Sequence, residues 1–345
     1  YKSQHRGGVG ITAHKTKDED FVESIFTTST HDDLMFFTNF GKVYVIKGYE
    51  IPEASRNSRG RAVINILQLD PGEKVATLLP VPERGEGYLM LATKQGLIKK
   101  TALSEFESIR KTGKKAIRLV DGDELIAAMI TKGDEELIIA SHEGKCIRFR
   151  EADVRAMGRD CQGVRSMKLN PGDYAVDMAM VEEDKEVLTI SENGFGKRSS
   201  PDEYRVQGRA GMGVKAGVFN EETGKLVCLK MINADNDIMI IADNGIIIRV
   251  AADEIRKIGR DTKGVKVMNL REGSKIMSIA VVPHEEPEEE VVLDENGNPV
   301  TTTEDVTEVT SATDSEFPVD NELAEETAEV NAETAAVNET VSDEE

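Results

Sequence analysis

Residues 137–181 read LIIASHEGKCIRFREADVRAMGRDCQGVRSMKLNPGDYAVDMAMV, and the rest of the chain repeats this unit. Its first part contains two short β-prone runs, 137–141 and 145–149, on either side of a turn that ends in Gly144. A glycine-containing turn of this length between two such runs is typical of a β-hairpin. The first half of the unit is therefore predicted to be a hairpin.

The second half contains two more apolar runs, 163–169 and 174–181, joined by the turn Asn170-Pro171-Gly172-Asp173. Proline presets the backbone angle at the start of such a turn, and glycine supplies the positive φ that closes it. A longer loop rich in arginine separates the two halves. The unit is therefore predicted to be four short strands with two tight turns.

Three series of glycines repeat with a period of about fifty residues. The first turn ends in Gly41, Gly96, Gly144, Gly194 and Gly245, and the second contains Gly72, Gly122, Gly172, Gly224 and Gly273. A third series, which opens the third strand, is Gly8, Gly60, Gly113, Gly163, Gly213 and Gly264. This period, with four strands per unit, is typical of propeller-like blades.

The fold class predicted is all-β, a six-bladed β-pinwheel or propeller-like ring of four-stranded blades. The alternative is a run of unrelated hairpins in a β-sandwich, but a sandwich keeps no such period. The third-strand glycine occurs six times and the first hairpin only five. Because a closed ring needs every edge strand paired, we expect an incomplete first blade at the N-terminus or a last blade that compensates for it.

Charge divides the chain into two parts. Residues 285–345 contain 22 Asp or Glu and no Lys or Arg, which leaves 42 acids against 43 bases over residues 1–284, a net charge of +1. We therefore predict a β-pinwheel domain at 1–283 and an acidic, disordered tail at 284–345. The tail either solubilises the protein or competes, as a polyanion, with nucleic acid for basic loops.

The composition excludes several other classes of protein. The three cysteines form no CxxC pair or disulfide framework, which favours a reducing compartment such as the cytoplasm. No apolar run is long enough for a membrane span, so no membrane partner is expected. Nucleophile, metal-ligand and nucleotide-binding motifs are absent from the sequence, so we predict no catalytic residue, no metal site and no cofactor.

Every complete repeat places at least three bases in the same loop, and we predict that these bases contact DNA. They are Arg56, Arg59, Arg61, Arg110, Lys111, Lys114, Lys115, Arg155, Arg159, Arg165, Arg205, Arg209, Lys215, Arg256, Lys257, Arg260, Lys263 and Lys266. One basic loop is ordinarily a solvated surface. Five at matching positions would form a stripe around the rim of a ring, which suits a bent phosphate backbone and reads no base sequence.

Further bases occur within strand-like runs, namely Lys99, Lys100, Lys145, Arg148, Lys197, Arg198 and Arg249. They belong either to the same interface or to the solvent face of an outer strand. The sequence alone leaves both interpretations open.

The N-terminal segment is a polar, glycine-rich loop at the position of the basic loops of later repeats. It consists of Gln4, His5, Arg6, Gly7, Gly8, Val9 and Gly10. Closely spaced glycines let backbone N–H groups approach an anion. We therefore include these seven residues in the predicted DNA-binding surface.

Over residues 4–283, the sequence resembles the C-terminal domain of DNA gyrase A, a six-bladed β-pinwheel. The similar segments are DEDF at 18–21, GRAVINILQL at 60–69, LVDGDEL at 119–125, VRAMG at 154–158 and GVR at 163–165. Residues 4–10 lie where that family carries its box, QRRGGKG. His5 replaces an arginine of the box and Val9 a lysine, so two basic residues of the pattern are missing.

The resemblance implies a DNA-wrapping module of a type IIA topoisomerase, which bends double-stranded DNA around its basic rim without reading sequence. It implies that the rest of the gyrase A polypeptide and the gyrase B polypeptide, in an A2B2 holoenzyme, use this wrap for ATP-dependent negative supercoiling in the bacterial cytoplasm, at the nucleoid. The cleavage tyrosine and the ATP and Mg²⁺ sites would lie outside this chain, which would not itself be an enzyme. Alternatives are the related C-terminal domain of topoisomerase IV, which wraps more weakly, a protein-binding propeller, and a propeller enzyme with an axial metal or acid cluster.

Overall fold

The structure is a computed structural model that describes residues 11–12, 28–54, 61–81, 86–109, 112–284, 292–293 and 299–300. The chain divides into two compact units, Tyr1–Pro287 and Glu288–Glu345. The described residues of the first unit form β-strands and short 3-10 helices and no α-helix. Those of the second form one antiparallel pair, so the predicted disorder of the tail concerns residues that mostly lie outside the described ones.

The strands of the first unit are short and follow the predicted order of turns. The first ten are β1 (Ile11–Thr12), β2 (Asp33–Thr38), β3 (Lys42–Lys47), β4 (Val75–Val81), β5 (Tyr88–Thr93), β6 (Leu97–Ala102), β7 (Lys114–Lys115), β8 (Leu125–Thr131), β9 (Glu136–Ser141) and β10 (Lys145–Arg150). The next ten are β11 (Val164–Arg165), β12 (Ala175–Val181), β13 (Glu186–Ser191), β14 (Phe195–Ser199), β15 (Val214–Lys215), β16 (Leu226–Ile232), β17 (Asn236–Ala242), β18 (Ile246–Ala251), β19 (Val265–Lys266) and β20 (Ile276–Pro283). The second unit contains β21 (Val292–Leu293) and β22 (Pro299–Val300). The described 3-10 helices are Gly48–Glu50, Val63–Asn65, Leu103–Phe106, Glu151–Asp153, Pro201–Glu203 and Ala252–Glu254.

The twenty strands of the first unit form five antiparallel four-stranded sheets, which we number as the first to fifth blades. Their strand orders are β4-β2-β3-β7, β8-β5-β6-β11, β12-β9-β10-β15, β16-β13-β14-β19 and β20-β17-β18-β1. The first strands of these orders (β4, β8, β12, β16 and β20) contact one another in succession, so they are the inner strands. The opposite edge strands (β7, β11, β15, β19 and β1) are the outer strands. The predicted all-β, blade-based fold is confirmed.

The blade count differs from the six predicted, since the described residues form five blades. A blade needs a first hairpin for its two central strands, and the sequence has five such hairpins. The segment after Gly60, predicted as a third strand, instead forms the 3-10 helix Val63–Asn65. It has no central hairpin to pair with among the described residues.

The sequence suggested that the four strands of one repeat form one blade. In the structure, the third strand of each repeat joins the blade of the preceding repeat instead. Val164 pairs with Ile98 and Arg165 with Leu97, so β11 is the outer strand of the preceding blade. The same exchange places β7, β15 and β19 on the preceding blades. Each blade is therefore completed by the repeat that follows it, which links neighbouring blades through backbone hydrogen bonds.

The fifth blade takes its outer strand from the start of the chain. Ile11 pairs with Ile247 and Thr12 with Ile246, in the register by which β11 pairs with β6. Of the two expected alternatives, the structure thus shows the second: the first blade has four strands, and the last blade is completed by the start of the chain. The register also corrects the third glycine series, because the residue directly before this strand is Gly10 and not Gly8.

The apolar core lies between blades rather than in one central cluster. Leu137 and Ile139 of β9 pack toward the second blade, whereas Ile138 and Ala140 pack toward the fourth. Successive side chains of a strand point to opposite faces, so a strand with a blade on each side needs apolar residues at every position. This arrangement explains why residues 137–140 read LIIA without polar alternation.

The strand exchange requires a glycine where the outer strand begins. Gly213 has φ +70°, and a Cβ built there would lie 2.3 Å from the Cys146 carbonyl oxygen of the neighbouring strand. That distance is far below any normal contact, and the left-handed backbone disfavours other residues as well. Glycine here lets the Arg-rich loop turn directly into the outer strand.

Candidate nucleic-acid interface

The outer strands place one exposed base at the same position on four successive blades. The second residues of β7, β11, β15 and β19 are Lys115, Arg165, Lys215 and Lys266, and all four are exposed. The first residue of each of these strands is half-buried. Because the outer strand repeats once per blade, these four predicted residues follow one another along the edge of the blades.

A second set of exposed bases follows the 3-10 helices. Arg155, Arg205 and Arg256 each lie two residues after the end of such a helix, and all three are exposed. None of them forms an ion pair within the described part of the chain. Their guanidinium groups are therefore available to phosphate oxygens without displacing a protein carboxylate.

A third set of arginines joins each basic loop to the outer strand of the blade before it. Arg159 donates from Nη1 to the Lys115 carbonyl oxygen at 3.3 Å, and Arg260 donates to that of Lys215 at 2.7 Å. Arg209 donates in the same way to the Arg165 carbonyl oxygen at 3.1 Å. The structure thus brings the predicted loops side by side, and these half-buried arginines fix their spacing.

Several predicted contact residues already have partners within the protein. Lys257 pairs with Glu186 and Lys263 with Glu222, each at 2.8 Å. Lys266 donates to the Asn193 carbonyl oxygen at 2.8 Å and lies 4.7 Å from the centre of the Phe195 ring. A phosphate would have to compete with these partners, so the predicted bases are not equivalent.

The bases within the central strands are mostly buried, and the solvent-face interpretation is wrong for five of them. Lys99 and Lys197 are 0 % and 2 % exposed, and Lys100, Arg198 and Arg249 are also buried. Lys100 pairs with the buried Glu151 at 2.8 Å, and Arg198 pairs with Glu186 at 2.6 Å. Lys100 thus links the second blade to the repeat that follows it, whereas the ion pairs of Arg198 with Glu186 and of Arg249 with Asp237 each lie within one blade.

Lys99 and Lys197 lie directly beneath basic loops. Lys99 donates from Nζ to the Ala116 carbonyl oxygen at 2.7 Å and also to that of Arg159. Lys197 donates from Nζ to the Arg260 and Thr262 carbonyl oxygens, which lie in the basic loop of residues 256–266. Burial lowers the pKa of each lysine to about 8, although nearby carboxylates (Glu105 for Lys99, Glu203 for Lys197) oppose the shift.

The remaining predicted residues fall into two groups. Arg61 is exposed, and Lys114 is half-buried with its Nζ donating to the Glu105 carbonyl oxygen at 3.3 Å. The predicted residues outside the described part of the chain are Gln4, His5, Arg6, Gly7, Gly8, Val9, Gly10, Arg56, Arg59, Arg110 and Lys111. For these eleven residues, as for the whole set, DNA contact stays a prediction.

Sequence reasoning missed two exposed bases on this surface, Arg118 and Lys168. Each lies three residues after an outer-strand base, and its backbone N–H donates to a carbonyl oxygen of the following basic loop, Cys161 for Arg118 and Gly211 for Lys168. The shared spacing from Lys115 and Arg165 was a readable signal in the sequence.

The described residues contain no cluster of three or more His, Cys, Asp or Glu side chains that could hold a metal ion. Within the same residues, no helix is long and apolar enough to cross a membrane.

The chain matches the family model described as "DNA gyrase C-terminal domain, beta-propeller" over residues 1–29, 32–82, 87–132, 135–182, 185–231 and 236–283. These six segments are the sequence repeats, and the first is the shortest. Because the match covers most of the sequence, the chain belongs to this family of DNA gyrase C-terminal domains.

Curated relatives and solved structures agree with this assignment. The DNA gyrase A protein of Halalkalibacterium halodurans is 52 % identical over 84 % of this chain, and that of Escherichia coli strain K12 is 38 % identical over 85 %. The chain spans only about a third of these relatives, 35 % and 34 % of their lengths. A solved DNA gyrase A C-terminal domain superposes with a TM-score of 0.74 at 28 % identity, covering 82 % of this chain and 93 % of that one. The C-terminal domain of a DNA topoisomerase IV, at 24 % identity and a TM-score of 0.68, shares the fold.

Proposed function

We propose that this chain binds duplex DNA without reading its sequence and wraps it along the outer edge of the blades. One observation carries the proposal, namely that exposed bases recur at equivalent positions of successive outer strands, as Lys115, Arg165, Lys215 and Lys266 do. A row of cations at a fixed spacing suits a phosphate backbone that bends past it. The family to which the chain belongs supports the same proposal.

The longer protein is proposed to be the gyrase A polypeptide of a DNA gyrase, a type IIA topoisomerase that acts with the gyrase B polypeptide as an A2B2 assembly in the bacterial cytoplasm, at the nucleoid. In this proposal ATP and Mg²⁺ act in other parts of the assembly, and the present chain shapes DNA without catalysing a reaction. The identity to gyrase A proteins along 84 % and 85 % of the chain supports gyrase rather than topoisomerase IV.

The test is relaxation and ligation of nicked plasmid with the protein bound, followed by measurement of the linking number. Wrapping predicts a linking-number change that grows with the ratio of protein to DNA and has one sign throughout. Affinity should be the same for unrelated duplexes and should fall steeply between about 50 and 200 mM salt, because each neutralised phosphate releases counterions. Tight binding with no change of linking number would restrict the function to binding, and salt-independent affinity would contradict the phosphate contacts.

A further inference from the structure

Three sibling basic loops, 155–165, 205–215 and 256–266, contain the same glycine–arginine pair. The pairs are Gly158 with Arg159, Gly208 with Arg209, and Gly259 with Arg260. Each of these loops supplies the outer strand of one blade and contacts the 3-10 helix of that blade. The last acidic residue of the helix differs between the three copies, and so does the hydrogen bonding of the glycine–arginine pair.

In two of the loops the backbone N–H of the arginine donates a hydrogen bond to a carboxylate oxygen. Arg159 N–H donates to Glu105 Oε2 at 3.3 Å, and Arg260 N–H donates to Glu203 Oε2 at 2.6 Å. This position of the loop therefore binds an anionic oxygen in two independent copies within one chain. A phosphate oxygen has the same charge sign and accepts the same hydrogen bond.

The middle loop lacks that acceptor. The equivalent acid is Asp153, one methylene shorter, and the Arg209 N–H has no acceptor among the described residues. Instead Arg209 donates from its side-chain Nε to the Asp153 carbonyl oxygen at 2.9 Å. The Arg209 side chain is thus held in place, while its backbone N–H is left without an acceptor from the residues that the structure describes.

The space beside the three glycines differs accordingly. A Cβ built on Gly158 would lie 3.9 Å from Glu105 Oε1, and one on Gly259 would lie 3.6 Å from Glu203 Oε2. A Cβ on Gly208 would meet no atom of the described residues within 4 Å. The volume that a carboxylate fills in the sibling loops is therefore open to solvent in the middle loop.

Charge and backbone conformation also distinguish the middle loop. Ala210 stands where the siblings have the exposed acids Asp160 and Asp261, so the 205–215 loop carries three bases and no acid. Ala210 has φ +67° and is the one non-glycine residue with positive φ in the part of the chain that the structure describes. Alanine in this region is strained, and such strain concentrates at binding sites.

We propose that the Arg209 backbone N–H, in the loop that also carries Arg205 and Lys215, is a phosphate-binding site for duplex DNA that is open in the free protein. At the equivalent positions Glu105 and Glu203 act as internal competitors that a DNA phosphate must displace. The proposal rests on the proposed DNA-binding function and adds a ranking of the loops to it. The middle loop binds DNA first, and its siblings follow as the duplex bends onto them.

The test uses two substitutions that conserve charge and act in opposite directions. Asp153→Glu supplies the longer side chain that fills the position in the sibling loops, and we expect about three- to tenfold weaker binding of a short duplex. Glu203→Asp withdraws the carboxylate from Arg260, and we expect tighter binding by a similar factor, with Glu105→Asp as a second copy of the same test. Because net charge is unchanged, a shift in affinity reports the local contact.

Selective ¹⁵N-arginine labelling provides a direct readout in the same variants. The Arg209 amide signal should shift at the lowest DNA concentrations and those of Arg159 and Arg260 only at higher ones, and Asp153→Glu should abolish this order. Unchanged affinities in all three variants, or shifts of Asp153→Glu and Glu203→Asp in the same direction, would overturn the proposal. Failure of the unsubstituted protein to bind DNA at all would instead reject the proposed function and this inference with it. Equal melting temperatures would show that the fold is intact.

Discussion

Lys197 Nζ lies 2.6 Å from the Thr262 carbonyl oxygen, so a buried ammonium group on a central strand holds the backbone of a basic loop that belongs to the next repeat. The equivalent positions on the third and fifth blades are Ile147 and Ile248. The fold therefore tolerates an apolar residue at this position. The lysine stabilises the basic loop through hydrogen bonds and is not required to form the blade.

Lys197→Met should destabilise the protein, because it removes the donor for the Arg260 and Thr262 carbonyl oxygens. Unsatisfied buried acceptors cost on the order of 1–3 kcal/mol. Burial lowers the pKa of Lys197 from 10.5 to about 8, so between about pH 8 and 10.5 the unfolded chain holds a proton that the folded protein has lost. The stability that Lys197 contributes should therefore rise with pH across that interval, and the deficit of the variant should grow.

The measurement is urea unfolding of the unsubstituted protein and of Lys197→Met at several pH values from 7 to 10. The difference between their free energies of unfolding removes the contribution of other titrating groups, which is the same in both proteins. Lys115→Met, at an exposed residue, serves as the control and should change neither stability nor its pH dependence. A deficit that does not change with pH would mean that the pKa of Lys197 is not lowered by burial, and one that shrinks as pH rises would mean that it is raised.

Gly213→Ala should destabilise the protein more than a typical glycine substitution. The new Cβ would lie 2.3 Å from the Cys146 carbonyl oxygen in a backbone with φ +70°, so the outer strand β15 must shift. We expect a loss of about 2 kcal/mol or more, from left-handed strain and overpacking together. Gly208→Ala is the matched control, since its Cβ meets no atom of the described residues within 4 Å and its φ is not positive. Similar melting temperatures for the two variants would contradict this account of the strand exchange.

The turns and most strands were predictable because the two turn glycine series mark positions that need positive φ. Gly144 and Gly172, for instance, have φ +84° and +82°. The exchange of outer strands was not predictable, because a two-residue strand such as β11 has no periodicity to show its partner. The burial of Lys99 was also missed, since a lysine within an apolar strand reads as a surface residue until the carbonyl oxygens beside it are known.

Arg155→Gln should weaken DNA binding more than Lys263→Gln. Both remove one positive charge, so long-range attraction falls equally. Arg155 is exposed and free of ion pairs to described residues, whereas Lys263 pairs with Glu222 at 2.8 Å and a phosphate must compete for it. Loss of a full phosphate contact should lower the slope of log K against log salt by about 1. Fluorescence anisotropy with one duplex at several salt concentrations measures both quantities, and a larger effect of Lys263→Gln would reverse this ranking.

Removing residues 285–345 should tighten DNA binding and increase the linking-number change. The sequence there carries 22 negative charges beside a body with a net charge of +1. We propose that these residues compete with DNA, because a disordered chain of this length, as the sequence predicts, would reach on the order of 40 Å and tethering would keep it at high effective concentration. Salt screens the contacts of both the tail and the DNA, so the gain on removal should be largest at low salt.

A Gly/Ser tail of equal length is the control that separates charge from bulk. If the neutral tail behaves like the truncation, the acidic charge is the cause. If all three proteins bind and wrap DNA equally across salt, the tail is not a competitor and its charge serves solubility alone.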